Sequence, residues 1–413
     1  MKKILVIGAG VAGLSAAVRL QKLGYAVTLY EKESQPGGKM NQIKKDGFTF
    51  DLGPTIVMMP EIYREVFEFC GKDPDDYIPM KKVDPMLKLY FNKERPLEFS
   101  NDLTELMRTL EDISSEDAQG YMAFLADIYK RYTIAKEAFI TKSFRGFWDF
   151  YNPKSLWAGI RLRTFSDAYS SISKFVKDER LRKSLAFQTL YIGVSPYQGP
   201  SLYTIIPMIE LFYGVYFIEG GMYTLATSLA KLFVELGGKI EYGTPVDELI
   251  IENKVAKGVR IGNEQVTADA IVCGADFPYA MQELIPDERK RGKYTNKKIE
   301  SMEYSCSCFL MYLGLDKRYP EEQLHSIYFA DDFKQNVDDL FEIGKLPEDP
   351  SFYLYRPSLM DQTLAPEGQE GLYVLVPVPE LSMYEDWSDA VVQEYRQKVL
   401  TLIKEKTLFK DIE

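Results

Sequence analysis

The chain opens with a short apolar run whose length suits a strand covered on both faces. Residues 4–7 are all apolar, and such uninterrupted runs are typical of central strands in parallel sheets. A glycine-rich turn follows, and apolar residues then recur at helical spacing through Leu14 and Val18. A second strand is predicted over residues 26–30. The pattern therefore predicts a β-α-β unit at the start of an α/β protein.

The turn between the first strand and the helix has the spacing of a dinucleotide-binding motif. Gly8 allows a tight turn, Gly10 lets the backbone approach a pyrophosphate, and Gly13 lets the helix pack close to the strand. Glu31 ends the second strand 18 residues beyond Gly13, close to the spacing of a ribose-binding acid. The predicted binding residues are Gly8, Ala9, Gly10, Val11, Ala12 and Gly13, followed by Glu31 and Lys32.

Two alternatives stand beside this interpretation. The glycines could form a purely structural turn, and Glu31 could be a solvated carboxylate at a strand end. If a dinucleotide does bind, the negative charge of Glu31 disfavours NADP because it would repel the 2′-phosphate.

Further along, strand patterns predict two more sheets. Short strands are expected over 87–91 and 97–99, and three strands of a meander between residues 246 and 273. Later apolar or alternating runs, from residue 305 onward, suit a mixed sheet. The longest apolar stretch, residues 204–218, is interrupted by Pro207, Glu210 and Gly214, so no membrane-spanning segment is predicted.

One segment differs in character from the rest of the chain. Residues 139–165 interleave eight aromatic residues with five basic ones and a single acid, Asp149. Aromatic and basic side chains together suit the interface of an anionic membrane. The alternative is a pair of surface helices whose cations have partners. Arg145 belongs to this segment, and we expect its cationic side chain to face lipid.

Composition narrows the chemistry. The 413 residues carry 50 Lys and Arg against 61 Asp and Glu, a net charge of −11, which disfavours nucleic-acid binding. Only one histidine, His325, is present, so histidine relays and metal clusters are disfavoured and no metal site is expected. The four cysteines include no C-x-x-C pair and are interpreted as free thiols of a reducing compartment.

Beyond the second strand the sequence resembles the flavin amine oxidase and phytoene desaturase superfamily. The resemblance rests on the glycine motif, Gly37-Gly38-Lys39, and the run from Phe50 to Thr55. It implies FAD, with Gly38 and Lys39 near the cofactor, Gly53, Pro54 and Thr55 close to the flavin, and Val246 holding the adenine through its backbone. For Lys39 the alternative is a solvated loop lysine.

Several stretches resemble a narrower group, the bacterial C30 carotenoid desaturases (4,4′-diapophytoene desaturases). They are residues 40–60, 185–193, 199–210, 304–312 and 364–368. The resemblance implies an FAD-dependent dehydrogenation of 4,4′-diapophytoene to 4,4′-diaponeurosporene, a substrate dissolved in the membrane, and a cytoplasmic enzyme peripheral to the inner face of the bacterial membrane. It identifies neither a catalytic residue nor the final electron acceptor.

The resemblance also implies a division of the chain. The expected parts are an FAD-binding domain of the Rossmann type over 1–85 and 216–285, a helical membrane-associating region over 86–215, and a mixed substrate-domain sheet over 286–413. The family continues past the position of Glu413 with a segment that closes the flavin pocket, and that segment is expected to be absent here.

Four other functions stay open at this point. A carotenoid oxygenase or a polyene isomerase would use the same fold and flavin. An amine oxidase would share the superfamily. A truncated flavoprotein fragment without activity is the alternative to an enzyme.

Overall fold

The predicted N-terminal β-α-β unit is present. In the computed structural model, which describes residues 1–92, 94–140, 142, 146–162 and 166–412, strand β1 spans Lys3–Ile7, helix α1 spans Val11–Lys22 and strand β2 spans Ala26–Tyr30. The described part then continues with sixteen strands: β3 Gln42–Lys45, β4 Phe48–Asp51, β5 Val57–Met58, β6 Met80–Val83, β7 Leu87–Phe91, β8 Leu97–Phe99, β9 Val215–Ile218, β10 Lys239–Glu241, β11 Glu248–Glu252, β12 Val255–Ile261, β13 Glu264–Thr267, β14 Ala270–Cys273, β15 Ser307–Leu315, β16 His325–Phe329, β17 Phe352–Tyr355 and β18 Glu370–Val378.

The remaining α-helices lie mostly between residues 103 and 235. They are α2 Pro60–Phe69, α3 Leu103–Glu111, α4 Ser115–Ala135, α5 Phe147–Phe150, α6 Pro153–Arg161, α7 Ala168–Ile172, α8 Glu179–Ala186, α9 Ile205–Tyr213, α10 Tyr223–Glu235, α11 Phe277–Gln282, α12 Asn296–Glu300, α13 Phe333–Asp338 and α14 Asp389–Lys406. A 3₁₀ helix over Phe187–Ile192 directly follows α8. Within the described residues, no helix is both long and apolar enough to cross a membrane.

The chain divides into two compact units. Unit 1 comprises residues 1–82, 216–303 and 360–367, and unit 2 comprises residues 83–215, 304–359 and 368–413. The chain thus passes from one unit to the other after residues 82, 215, 303, 359 and 367. The sequence predicts divisions after residues 85, 215 and 285.

Unit 1 is built on a parallel sheet with the strand order β10-β2-β1-β14. Alternate residues of β1 enter different cores: Ile4 and Val6 pack in the core that also contains residues of α1 and α10, whereas Leu5 and Ile7 pack with residues of β11, β12 and α11. Because both faces are covered, every position after Lys3 in this strand is buried. This explains the uninterrupted apolar run in the sequence.

Unit 2 contains a six-stranded mixed sheet with the order β15-β18-β17-β16-β7-β8. Strands β16 and β7 run parallel and the other neighbours antiparallel. Helix α14 packs on this sheet, where Val399 and Ile403 share a core with Leu372 and Val374. The predicted α/β class with a mixed sheet is confirmed.

Candidate functional site

A cleft of about 800 Å³ opens in unit 1 at the carboxyl ends of β1, β2 and β14. In parallel sheets this edge is the usual place for ligands, because loops and helix N-termini converge there. Ten of the predicted binding residues line the cleft: Gly8, Gly10, Val11, Ala12, Glu31, Lys32, Gly38, Lys39, Pro54 and Val246. The other four, Ala9, Gly13, Gly53 and Thr55, do not line it.

The glycines of the first turn have different structural roles. Gly8 adopts φ +92°, which a side chain would strain. A Cβ on Gly13 would lie 2.0 Å from the carbonyl oxygen of Gly8, so helix α1 packs this closely on the turn only because the residue is glycine. A Cβ on Gly10 would meet nothing within 4 Å, and Gly10 lines the cleft. Gly13 therefore serves the fold, and Gly10 leaves open the surface that faces the cleft.

Glu31 is a buried carboxylate and not a solvated one. Its side chain is 5% exposed, and its two oxygens accept hydrogen bonds from the backbone N–H of Ala9 (2.6 Å) and of Glu33 (2.9 Å). These bonds fix the end of β2 against the glycine turn. Each carboxylate oxygen can accept more than one hydrogen bond, and Glu31 lines the cleft, so it can also accept from ligand hydroxyls.

The second glycine pair lies against the first glycine turn. The backbone N–H of Gly37 donates to the carbonyl oxygen of Ala9 (2.9 Å), and a Cβ on Gly38 would lie 3.2 Å from the Cα of Gly10. Gly38 also adopts φ +57°. The two glycine segments thus form one continuous backbone surface along the cleft.

Two lysines lie at the rim of this cleft. Nζ of Lys39 lies 3.0 Å from a carboxylate oxygen of Asp276, and the Lys39 side chain is 91% exposed. Nζ of Lys32 lies 5.8 Å from the ring centroid of Tyr279. Lys39 is therefore both a cleft-lining residue and a solvated one, and its ion pair contributes little to stability.

Of the turn predicted to lie close to the flavin, Pro54 alone reaches the cleft. A Cβ on Gly53 would lie 2.3 Å from the carbonyl oxygen of Lys39, so this glycine allows two loop segments to pack closely behind the cleft. Thr55 is buried at 8% exposure. Val246, also buried, lines the cleft at the end of the loop that precedes β11.

The sequence did not single out several residues that contribute to this site. Ala275, Asp276 and Tyr279 line the cleft after β14. The prediction of residues 270–273 as a strand of the meander is wrong, because this strand, β14, pairs in parallel with β1, and β13 completes the meander with β11 and β12. A parallel strand beside β1 would have been the signal for these cleft residues, because ligands bind at the carboxyl ends of such strands. Asp51 is also buried, and its carboxylate accepts from the backbone N–H groups of Met222 and Tyr223 at the start of α10. Burial raises the pKa of Asp51.

Only part of the aromatic segment lies within the described residues. Phe147, Trp148, Tyr151 and Trp157 are 63%, 78%, 47% and 60% exposed. The Phe147 ring lies 5.3 Å from that of Trp148 and 4.3 Å from that of Tyr151, centroid to centroid. The predictions that fall on Phe144, Arg145, Arg163 and Phe165, and on the side chains of Phe139, Phe150, Lys154 and Arg161, lie outside the described part.

Comparison with known proteins identifies the class to which this fold and cleft belong. Residues 11–403 match the family model described as flavin containing amine oxidoreductase. The chain is 47% identical over 401 residues to a 4,4′-diapophytoene desaturase (4,4′-diaponeurosporene-forming) of Staphylococcus haemolyticus, covering 96% of this chain and 80% of that protein. The protein of the same name from Staphylococcus aureus strain bovine RF122 is 45% identical over 416 residues, covering 99% of this chain and 83% of the relative.

Solved structures share the fold at low sequence identity. An oxidoreductase from Methanosarcina mazei matches with a TM-score of 0.66 at 17% sequence identity. The match covers 98% of this chain and 85% of that structure's chain. Putrescine oxidase bound to putrescine has a TM-score of 0.62 at 13% identity, with coverage of 99% and 82%.

The chain belongs to the flavin containing amine oxidoreductase family, and within it to the group formed by these desaturase relatives. It is an FAD-dependent oxidoreductase. The cleft suits that cofactor, because it joins an open glycine surface, a buried acid at the end of β2 and a helix N-terminus, which together match a nucleotide's pyrophosphate and ribose.

Proposed function

We propose that this chain dehydrogenates 15-cis-4,4′-diapophytoene to 4,4′-diaponeurosporene. The observation that carries the proposal is the 45–47% identity, over 96–99% of the chain, to relatives named for that reaction. The cleft of unit 1 supports it, because the first turn and Glu31 provide the surface that an FAD-dependent reaction needs. FAD, when bound, supplies the acceptor for a hydride from an allylic carbon.

In this proposal the residues of the chain bind the cofactor and position the substrate. Gly10, Gly38 and the N-terminus of α1 would hold the pyrophosphate of FAD, and Glu31 would accept hydrogen bonds from its ribose hydroxyls. The substrate is a hydrocarbon that offers no hydrogen-bonding group. Its recognition therefore depends on the shape of an apolar channel, which discriminates weakly per methylene.

The test is an absorbance experiment on the FAD-loaded protein. The protein is incubated without oxygen with 4,4′-diapophytoene in liposomes, and Gly10→Ala serves as a control that should lack FAD. Bleaching of the oxidised flavin bands together with growth of red-shifted, structured polyene bands is the expected result. Firmly bound FAD without new polyene bands would contradict the proposed substrate.

We further propose that α5, α6 and the turn between them carry a membrane-contact surface that consists of Phe147, Trp148, Tyr151 and Trp157. Four exposed aromatic side chains within eleven residues suit the boundary between headgroups and acyl chains, where amphipathic rings are stabilised. The exposed Lys142 precedes them and adds attraction for anionic lipid. A substrate dissolved in lipid makes such contact useful, and the inner face of the bacterial membrane is its proposed location.

Vesicle co-sedimentation tests this surface. Trp148→Ser combined with Trp157→Ser should reduce binding to anionic vesicles, with a smaller change for neutral vesicles. The matched control is Leu23→Ser combined with Val234→Ser, which removes apolar side chains of similar exposure (64% and 56%) from unit 1. Equal binding by both double variants would place the membrane contact elsewhere.

A further inference from the structure

An exposed aromatic ring lines the cofactor cleft of unit 1. Two tyrosines, Tyr30 and Tyr279, line this cleft. Tyr30 ends β2 and packs against the core that contains residues of β11, β12 and α11. Tyr279 belongs to α11 and is 45% exposed, so much of its ring surface is available to a ligand in the cleft.

The helix that carries Tyr279 is packed firmly into unit 1. The next residue, Ala280, is 6% exposed and lies in the same core as Val246 and Leu284. The backbone N–H of Leu249 in β11 donates to the carbonyl oxygen of Leu284 at 2.7 Å. Because the helix is already ordered, a ligand that contacts the Tyr279 ring loses little affinity to the ordering of the protein.

A buried guanidinium group also fixes the C-terminal end of α11. Arg291 is 7% exposed. Its Nε donates to the carbonyl oxygen of Ile285 at 2.6 Å, and its Nη2 donates to that of Gln282, the last residue of the helix, at 3.3 Å. The last carbonyl groups of a helix have no partner within it, so these bonds hold the helix end in place.

Two neighbours of Tyr279 indicate which end of FAD it faces. Nζ of Lys32 lies 5.8 Å from the centroid of the Tyr279 ring, within the range of a cation–π contact, and 3.9 Å from a carboxylate oxygen of Glu33. Lys32 directly follows Glu31, the buried acid that suits the ribose hydroxyls. The helix of Tyr279 shares a core with Val246, which lines the cleft where the adenine is expected. Tyr279 therefore lies at the adenosine end of the cleft.

The contact between Lys32 and Tyr279 joins segments from opposite sides of β1. Ile7, the last residue of β1, pairs with Tyr30 of β2 on one side and with Cys273 of β14 on the other. Lys32 follows β2 and Tyr279 follows β14, so their contact connects the two flanks of the first glycine turn. A nucleotide bound along that turn therefore meets both side chains.

We propose that the Tyr279 ring stacks on the adenine of FAD and that Lys32 holds the ring in position. An adenine has a flat π face, and loss of one aromatic partner weakens the binding of a base about fivefold to 100-fold. Tyr279 would thus select the adenosine half of the cofactor, and Lys32 would act through it. The inference rests on the placement of FAD in the proposed function and is independent of the polyene substrate.

The first test measures the binding of three ligands to the FAD-free protein. FAD and FMN are titrated by their flavin fluorescence, and ADP is measured by competition with FAD. ADP contains the adenosine and the pyrophosphate, whereas FMN contains the flavin without the adenosine. Tyr279→Ala should weaken FAD and ADP by the same factor, about tenfold, and leave FMN unchanged. Tyr279→Phe keeps the ring and should stay within about twofold of the wild-type protein for all three.

Phe277→Ala is the matched control for this test. Phe277 lies on the same helix, is 39% exposed and packs against the ring of Tyr294 at a centroid separation of 4.8 Å, but it does not line the cleft. Its removal should leave all three affinities unchanged. Equal weakening of ADP by Phe277→Ala and Tyr279→Ala would show that the helix acts only through the fold. Weakening of FMN as strong as that of ADP would place the ring away from the adenine. Either result would overturn the proposal.

A double-mutant cycle tests the positioning role of Lys32. Lys32→Gln should weaken ADP binding about twofold to fivefold in the protein that has Tyr279. The same substitution should have a smaller effect in Tyr279→Ala, because the ring that Lys32 holds is then missing. Equal effects in both backgrounds would show that Lys32 acts directly on the phosphates, and its positioning role would be wrong.

The outcomes separate this inference from the proposed function. If Gly10→Ala keeps the wild-type affinity for ADP, the placement of FAD in the proposed function is wrong and the assignment of Tyr279 fails with it. If Gly10→Ala weakens ADP binding but Tyr279→Ala does not, the inference alone is wrong. Should Tyr279→Ala fail to fold, Tyr279→Leu decides, because leucine fills space without a π face. It should still weaken ADP several-fold, and ADP affinity equal to that of Tyr279→Phe would contradict stacking.

Discussion

Nδ1 of His325 lies 2.7 Å from the hydroxyl oxygen of Tyr353, which belongs to the neighbouring strand β17. The His325 ring also stacks on Tyr355 with a centroid separation of 5.1 Å, and the residue is 1% exposed. Burial disfavours the charged form of the imidazole and lowers the pKa of His325 to about 3. The ring is therefore neutral in the folded protein at neutral pH. The single histidine of the chain is thus part of the core of unit 2.

The buried imidazole predicts a loss of stability in acid. The unfolded state binds a proton near pH 6.5 and the folded state only near pH 3, so the free energy of unfolding should fall as the pH drops across that interval. The full effect is about 5 kcal/mol from the shift in pKa. Denaturant unfolding at several pH values should show a shallower pH dependence for His325→Gln than for the wild-type protein. If the free energy of unfolding depended on pH equally in both proteins, His325 would not be the buried neutral group that causes the loss of stability in acid.

Glu210 predicts a pH dependence of the opposite sign. Its pKa is raised from 4.5 to about 8, so the folded state keeps a proton that the unfolded state releases. That contribution is fully present below pH 4.5 and is lost as the pH rises through 8, with a total of about 5 kcal/mol. Glu210→Gln should therefore unfold at higher denaturant concentration than the wild-type protein at pH 9. A variant no more stable than Glu348→Gln under those conditions would be inconsistent with a buried ionising carboxyl.

Local patterns explain what the sequence could predict. The apolar run and the glycine spacing depend on neighbouring residues, and the structure has β1, α1 and β2 where that spacing puts them. Asp51 could not be found in the same way, because its partners Met222 and Tyr223 lie about 170 residues further along the chain. In the sequence, Glu210 interrupts an apolar stretch, but in the structure its side chain is buried. Local pattern could not predict this burial, because it depends on the packing of α9 against α4 and α8.

The two hydrogen bonds of Glu31 predict a coupled loss of binding and stability. Glu31→Gln keeps the size of the side chain but has one acceptor oxygen, so one of the N–H groups of Ala9 and Glu33 loses its partner. We expect a cost of about 1–3 kcal/mol in stability and weaker FAD binding in a fluorescence titration. Glu348→Gln is the control, because its carboxylate is 84% exposed and does not line the cleft. Equal FAD affinity for the two variants would exclude Glu31 from the cofactor site.

The two glycines Gly10 and Gly13 provide a pair of substitutions that separates cofactor binding from folding. In Gly13→Ala the new Cβ meets the carbonyl oxygen of Gly8, at 2.0 Å before any adjustment, so the turn must move. We expect a loss of about 1–3 kcal/mol in stability together with loss of FAD.

Gly10→Ala should leave the fold unchanged, because the new Cβ meets nothing within 4 Å and φ is −70°. The methyl group would instead occupy the surface that the pyrophosphate approaches, so FAD affinity should fall while the melting temperature of the FAD-free protein stays within the range of neutral surface substitutions. Equilibrium dialysis with FAD and thermal unfolding of the FAD-free protein measure the two effects separately. Retention of FAD at full occupancy by Gly10→Ala would show that the pyrophosphate does not lie on this turn.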